Sequence, residues 1–252
     1  MKNDYWYLVL IPFALWVLNE IFLYKPVFFF LALSFGALII SFGVYALIKD
    51  KRERFWPAYI LPPVLFFLSF SFYSSIIISY FWIQVIFLLI AWFIFSYFQN
   101  IYYYFSFGAP EREVKIRRLM ISGSFLSTFA IAATLYGLPI FLSWPFILLL
   151  LSFIFISLAL FGQFFIFSKN ITSEQQIFLG INILVLAEFA GIFYLLPLNF
   201  NILGLLLAII FYLLLLLNDW RGEGKLNLQY LKWPIIICSL VIVFILLSAH
   251  WL

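Results

Sequence analysis

The sequence predicts an all-α fold, a polytopic transmembrane helical bundle of about nine membrane-spanning helices in antiparallel hairpins. Three observations lead there. Hydrophobic residues make up 67% of the 252-residue chain and charged residues only 10%, whereas a water-facing domain keeps about a quarter of its residues charged. The apolar residues form continuous runs close to the roughly 20 residues that a helix needs to cross a bilayer, not the short alternating segments of a barrel. Lys and Arg collect between alternate runs, as orientation signals do.

The predicted spans are 5–23, 27–48, 57–73, 76–104, 119–136, 143–167, 176–196, 201–217 and 233–251. The first is read as a retained helix: no positive run precedes it, and its end (Asn19, Glu20, Tyr24, Lys25) offers no small-residue cleavage site. The third opens on Pro57, which suits a first helical turn. It then meets Pro62-Pro63, which removes two backbone donors and predicts a kink. Only Ser, Phe and Tyr separate the third and fourth spans at Ser71–Ser75, which allows either a tight turn or a re-entrant piece. Pro110 and the i,i+4 pairs Glu111/Lys115 and Glu113/Arg117 predict a helix start that runs straight into the fifth span. Outer turns are expected near Tyr24–Pro26, Tyr73–Ser75, Gly137–Leu142 and Pro197–Asn201, and Leu226–Trp233 reads as a short interfacial segment. No repeat or linker divides the chain, so residues 1–252 are expected to form a single integral membrane domain.

Charge gives an independent test of the helix count. If nine helices alternate, the amino terminus shares one side with the loops at 49–56, 105–118, 168–175 and 218–232. Of the 14 Lys and Arg residues, Lys25 alone then falls on the other side. That asymmetry predicts a multi-pass protein of the cell membrane with a cytoplasmic N-terminus and the C-terminus on the outer side. It also accounts for the formal net charge of +4 without a nucleic-acid partner.

Few residues could carry chemistry. His250 is the single histidine and Cys238 the single cysteine, so no zinc site, metal centre or disulfide framework is expected. Ser122-Gly123-Ser124 lacks the Gly-x-Ser-x-Gly elbow and reads as a close helix contact. Asp219, Arg221 and Glu223 form a sparse polar cluster at the inner face, with too few carboxylates for a metal-diphosphate site. No catalytic set and no cofactor is expected.

Glu188 is the most informative position. It lies within the seventh span, where an ionised carboxylate costs about 2.5–3.5 kcal/mol on insertion scales. It must therefore face protein or water, be protonated, or find a partner, and Ala187, Ala190 and Gly191 beside it allow another helix to approach. Two roles fit it: a proton or substrate-cation site, or a hydrogen bond that locks helices together. Glu20 is expected to reach headgroups or Lys25, and Asn19, Gln84, Gln163 and Asn182 to join helices. The basic residues Lys49, Lys51, Arg52, Arg54, Arg112, Lys115, Arg117 and Arg118 are candidate contacts for anionic lipid headgroups.

Two functions of different class follow. The first is a non-catalytic membrane subunit or scaffold, packing on membrane lipids and on other subunits or further copies of itself. The alternative is a transporter or permease for a small or lipid-like substrate that uses Glu188. An enzyme acting on lipid-linked substrates through Asp219, Arg221 and Glu223 is more distant.

Overall fold

Apolar runs of this length satisfy their backbone polar groups within themselves, and the result is helix almost throughout. The structure, a computed structural model, describes residues 5–48, 56–108, 110–167, 173–222 and 228–249. Among these residues there are nine α-helices and no strand: α1 Tyr5–Tyr24, α2 Phe29–Ile48, α3 Trp56–Ser74, α4 Tyr80–Phe107, α5 Pro110–Leu142, α6 Phe146–Phe167, α7 Ser173–Tyr194, α8 Phe200–Gly222 and α9 Leu228–Ser248. Eight are long and apolar enough to cross a membrane. The apolar part of α9, Lys232–Ser248, is shorter. The chain thus has the make-up of a helical membrane protein.

Of the two arrangements the sequence allows at 71–75, the structure has the tight turn: α3 runs to Ser74, and Ser75, Ile76 and Ile77 turn back through amide bonds to the carbonyls of Phe72, Tyr73 and Ser74. Two other expectations are corrected. The expected outer turn at Gly137–Leu142 is helical, because α5 continues to Leu142. The chain reverses at Ser143–Pro145, where Ser143 has a left-handed backbone at φ 53°. The described part of Leu226–Trp233 forms the first turns of α9 instead of a separate interfacial piece. Pro110–Arg118 does join the fifth span in one helix. Gly108 ends α4 in the left-handed conformation (φ 61°) that glycine adopts without steric cost, and its amide bonds the Tyr104 carbonyl at 3.0 Å.

The chain divides into two compact units, Met1–Ser127 and Thr128–Leu252, with the boundary inside α5. In the first unit α1 packs on α2 and α4, α2 packs on α3 and α4, and α3 packs on α4. Its core is aromatic. Phe66 stacks on Phe93 at 3.8 Å between ring centroids, Phe93 is followed by Tyr97 at 6.1 Å, and Phe22 bridges Phe87 and Phe29 edge-on. Lipid offers helices no hydrophobic driving force to associate, so shape-matched ring packing of this kind must supply cohesion.

In the second unit α6 packs on α7, α7 on α8 and α8 on α9. The carboxyl-terminal half of α5 runs among α6, α7 and α8. Ala130, Ala132 and Ala133 are fully buried, Tyr136 donates from its hydroxyl to the Ala190 carbonyl at 2.9 Å, and its ring meets Phe153. A Cβ on Gly204 of α8 would lie 2.7 Å from the Ala133 backbone nitrogen, so at this point the two helices touch backbone to backbone. α9 is the outlier, with no buried side chain among its described residues.

Candidate functional site

Among the described residues, the carboxyl groups of Glu20 and Glu188 lie within apolar stretches of α1 and α7, away from charged helix ends, and their surroundings differ. Glu20 is half-buried in the first unit, where the Gln84 side-chain amide of α4 donates to its Oε1. Its neighbour Asn19 is buried, and accepts at Oδ1 from the Ser71 hydroxyl of α3 at 3.2 Å. Consecutive residues on a helix point about 100° apart, so this adjacent pair ties α1 to two different helices. Glu20 is thus bonded to α4 within the first unit, where the sequence suggested Lys25 or headgroups. Ser74 donates to the Ser71 carbonyl at 2.8 Å. Two enclosed donors at this junction, Asn19 Nδ2 and Trp16 Nε1, have no acceptor among the described residues.

Glu188 is exposed. It lies six residues, or about 9 Å, before the Tyr194 end of α7 at 1.5 Å per residue, so it is off-centre in the span but within its apolar part. Of the eight candidate spans, the one that contains it is the least covered by the rest of the chain. Exposed Ile177, Ile181, Leu184 and Ile192 surround it along the helix, and exposed Leu195 follows in the turn after α7. No hydrogen bond or ion pair joins Glu188 to a described residue. Asn182, about 120° around α7 from Glu188, is buried instead. A carboxyl at this depth must find protein, water or a proton, and the second unit does not enclose it.

The basic candidates separate into two kinds. Arg112 is half-buried, donates through Nη1 to Asn100 Oδ1 at 3.1 Å, and rests 4.9 Å over the Tyr103 ring. Asn100 in turn donates to the Ser96 carbonyl at 2.7 Å. Arg112 therefore fastens α5 to α4 and is committed to protein contacts. Lys115, Arg117 and Arg118 lie on the next turns of α5 and are exposed, although Arg117 also has an interaction within the chain. Lys49, Lys51, Arg52 and Arg54 lie outside the described residues, as do Glu223 and His250. Asp219 and Arg221 fall in the last turns of α8, but their side chains are outside the described part of the structure. Among the described residues no three His, Cys, Asp or Glu side chains group as metal ligands.

A further polar contact is absent from the sequence-based expectation. The Tyr97 hydroxyl, fully buried in α4, donates at 3.1 Å to the backbone carbonyl of Tyr59 in α3. Tyr59 is four residues before Pro63 and so lacks that residue's amide as an intrahelical donor. The proline pair signalled a freed carbonyl; only the fold shows which side chain serves it.

Comparison with protein families, curated proteins and solved structures finds no match to this chain. Its function must therefore be read from its own geometry.

Proposed function

We propose that the chain is a membrane-embedded subunit whose exposed α7 face, centred on Glu188, is covered by another protein segment in the assembled state. The observation that carries this reading is Glu188 itself, an exposed carboxyl inside an apolar helix with no partner among the described residues. Left against lipid, an ionised carboxylate costs about 2.5–3.5 kcal/mol, and a protonated one still leaves a donor in hydrocarbon. A protein surface that brings a hydrogen-bonding group removes that cost. Glu20 in α1 shows the same chemistry already satisfied: Gln84 serves it.

Exposure favours docking over the transport alternative, which asks for a coupling carboxyl enclosed within a helical unit. The orientation expected from the basic loops would place Lys115, Arg117 and Arg118 at the cytoplasmic face. There they suit anionic headgroups at about 1 kcal/mol each, a contact that would hold such a subunit at a fixed depth.

A photoreactive residue in place of Leu184, which is 59% exposed beside Glu188, tests the reading in native membranes at native expression. Adducts between polypeptides support it. Adducts to lipid alone overturn it.

A further inference from the structure

We propose that the first unit binds one structural water molecule beside Glu20, which accepts hydrogen bonds from Asn19 Nδ2 and Trp16 Nε1 and donates to the Glu20 carboxyl. The site is separate from the α7 face and does not rest on the docking reading. Trp16, Asn19 and Glu20 follow the i, i+3, i+4 spacing that makes side chains neighbours on one side of a helix. Asn19 is 1% exposed, and its Oδ1 is taken by the Ser71 hydroxyl. Its Nδ2 and the Trp16 Nε1 are enclosed donors without an acceptor among the described residues. Gln84 serves one carboxyl oxygen of Glu20, and no bond to a described residue occupies the other.

An enclosed N–H without an acceptor bears the full cost of losing its hydration. Two such donors beside a spare carboxyl oxygen call for a small body that accepts twice and can also donate. Water meets both conditions, and buried waters make about three hydrogen bonds each. Other ligands fit less well. An anion would accept from both donors but would lie against the Glu20 carboxyl. A hard cation would meet two N–H groups in place of the oxygen ligands it needs.

The depth of the site suits a water drawn from the interface. Glu20 lies four residues before the end of its apolar span at Tyr24, Ser71 three before Ser74, and Gln84 four after Tyr80. At 1.5 Å per residue each is about 4–6 Å from the end of its span. The Glu20–Gln84 and Asn19–Ser71 bonds bring these three ends to one side of the unit, so the helices can close over a water as they pack. The Glu20 carboxyl then keeps part of its hydration at lipid depth, where an ionisable group must find water or protein.

The wild-type chain, crystallised from a lipid mesophase at a resolution that shows other enclosed waters, tests the assignment. The expected result is one density peak within hydrogen-bond distance of Asn19 Nδ2, Trp16 Nε1 and a Glu20 oxygen. An empty position, or a peak that touches only one of the two donors, overturns the proposal. So does an Asn19 side chain turned to accept directly from Trp16, and so does anomalous signal at the site after a bromide soak, which would show an anion instead. A second readout uses the full chain in lipid nanodiscs with nitrogen-15 in its indole rings. The Trp16 signal, recognised by its loss in Trp16→Phe, is expected to receive magnetisation from water. A Trp16 indole proton silent to water overturns the proposal independently of any crystal.

Discussion

The hydroxyl of Tyr97 donates at 3.1 Å to the backbone carbonyl of Tyr59, the carbonyl that Pro63 leaves without its helical donor. A proline pair in the middle of a membrane span is costly only if the freed acceptors stay unserved. Here a side chain from the neighbouring helix serves one of them, and α3 continues unbroken from Trp56 to Ser74.

Removing that donor is expected to hurt in a way that depends on the proline. Tyr97→Phe should lower stability by about 1–3 kcal/mol, the cost of an unserved buried polar group. In a Pro63→Ala background the helix regains its own donor, so the same change should cost less than about 1 kcal/mol. Detergent-solubilised protein titrated with SDS and followed by circular dichroism measures the four corners of this cycle. Equal costs in both backgrounds would show that the hydroxyl does not compensate for the proline.

The Glu20–Gln84 bond predicts an asymmetric response. Gln84→Leu removes the amide and strands a carboxyl between α1 and α4, with an expected loss of about 1–3 kcal/mol. Glu20→Gln keeps an acceptor at the same place and should change stability by less than about 1 kcal/mol. The same SDS titration reads both. A harmless Gln84→Leu would place Glu20 in contact with headgroups after all.

Two glycines in apolar helices should respond oppositely to one methyl group. At Gly204 the new Cβ meets the Ala133 backbone, so Gly204→Ala is expected to destabilise by about 1–3 kcal/mol through overpacking. At Gly162 nothing lies within 4 Å of the position, so Gly162→Ala should be neutral or stabilising by up to about 1 kcal/mol through helix propensity. Thermal unfolding in mild detergent ranks the two variants, and the reverse order would rule out the close α5–α8 contact.

If α5 crosses the membrane with the orientation that the basic loops imply, its two ends must label from opposite faces. In a Cys238→Ser background, Glu113→Cys should react with an impermeant maleimide only in inside-out vesicles. Trp144→Cys, just beyond the other end of α5, should react only in right-side-out ones. Labelling of both from one face would refute the crossing, and exchange of the two would invert the topology.

Most of the element list was legible before any tertiary information. Apolar runs bounded by charge, Pro and Gly mark where helices start and stop, because a charged side chain is costly at lipid depth and proline cannot continue a helix. The misplaced ends have local causes. Gly137–Leu142 looked like a turn because it combines Gly and Pro, yet a membrane helix tolerates Pro139 when neighbouring groups serve the backbone. Leu226–Trp233 looked interfacial because polar and apolar residues mix there, and its described part forms the opening turns of α9.

The candidate site was legible as residues but not as surroundings. Depth within a span marks Glu188 in the sequence, whereas nearness to a span end makes Glu20 look ordinary. The fold bonds Glu20 to Gln84 and leaves Glu188 exposed. A helix that is apolar on every side gives little amphipathic signal, so its sequence does not say which face turns inward.

The sequence by itself determined the class, the number of helices and the basic loops, because insertion into lipid is decided by the composition and length of each run. The tertiary structure decided which ring stacks on which, which side chain serves the carbonyl before Pro63, and which carboxyl finds a partner. These are choices among faces of equal hydrophobicity, and only the fit between neighbouring helices distinguishes one face from another.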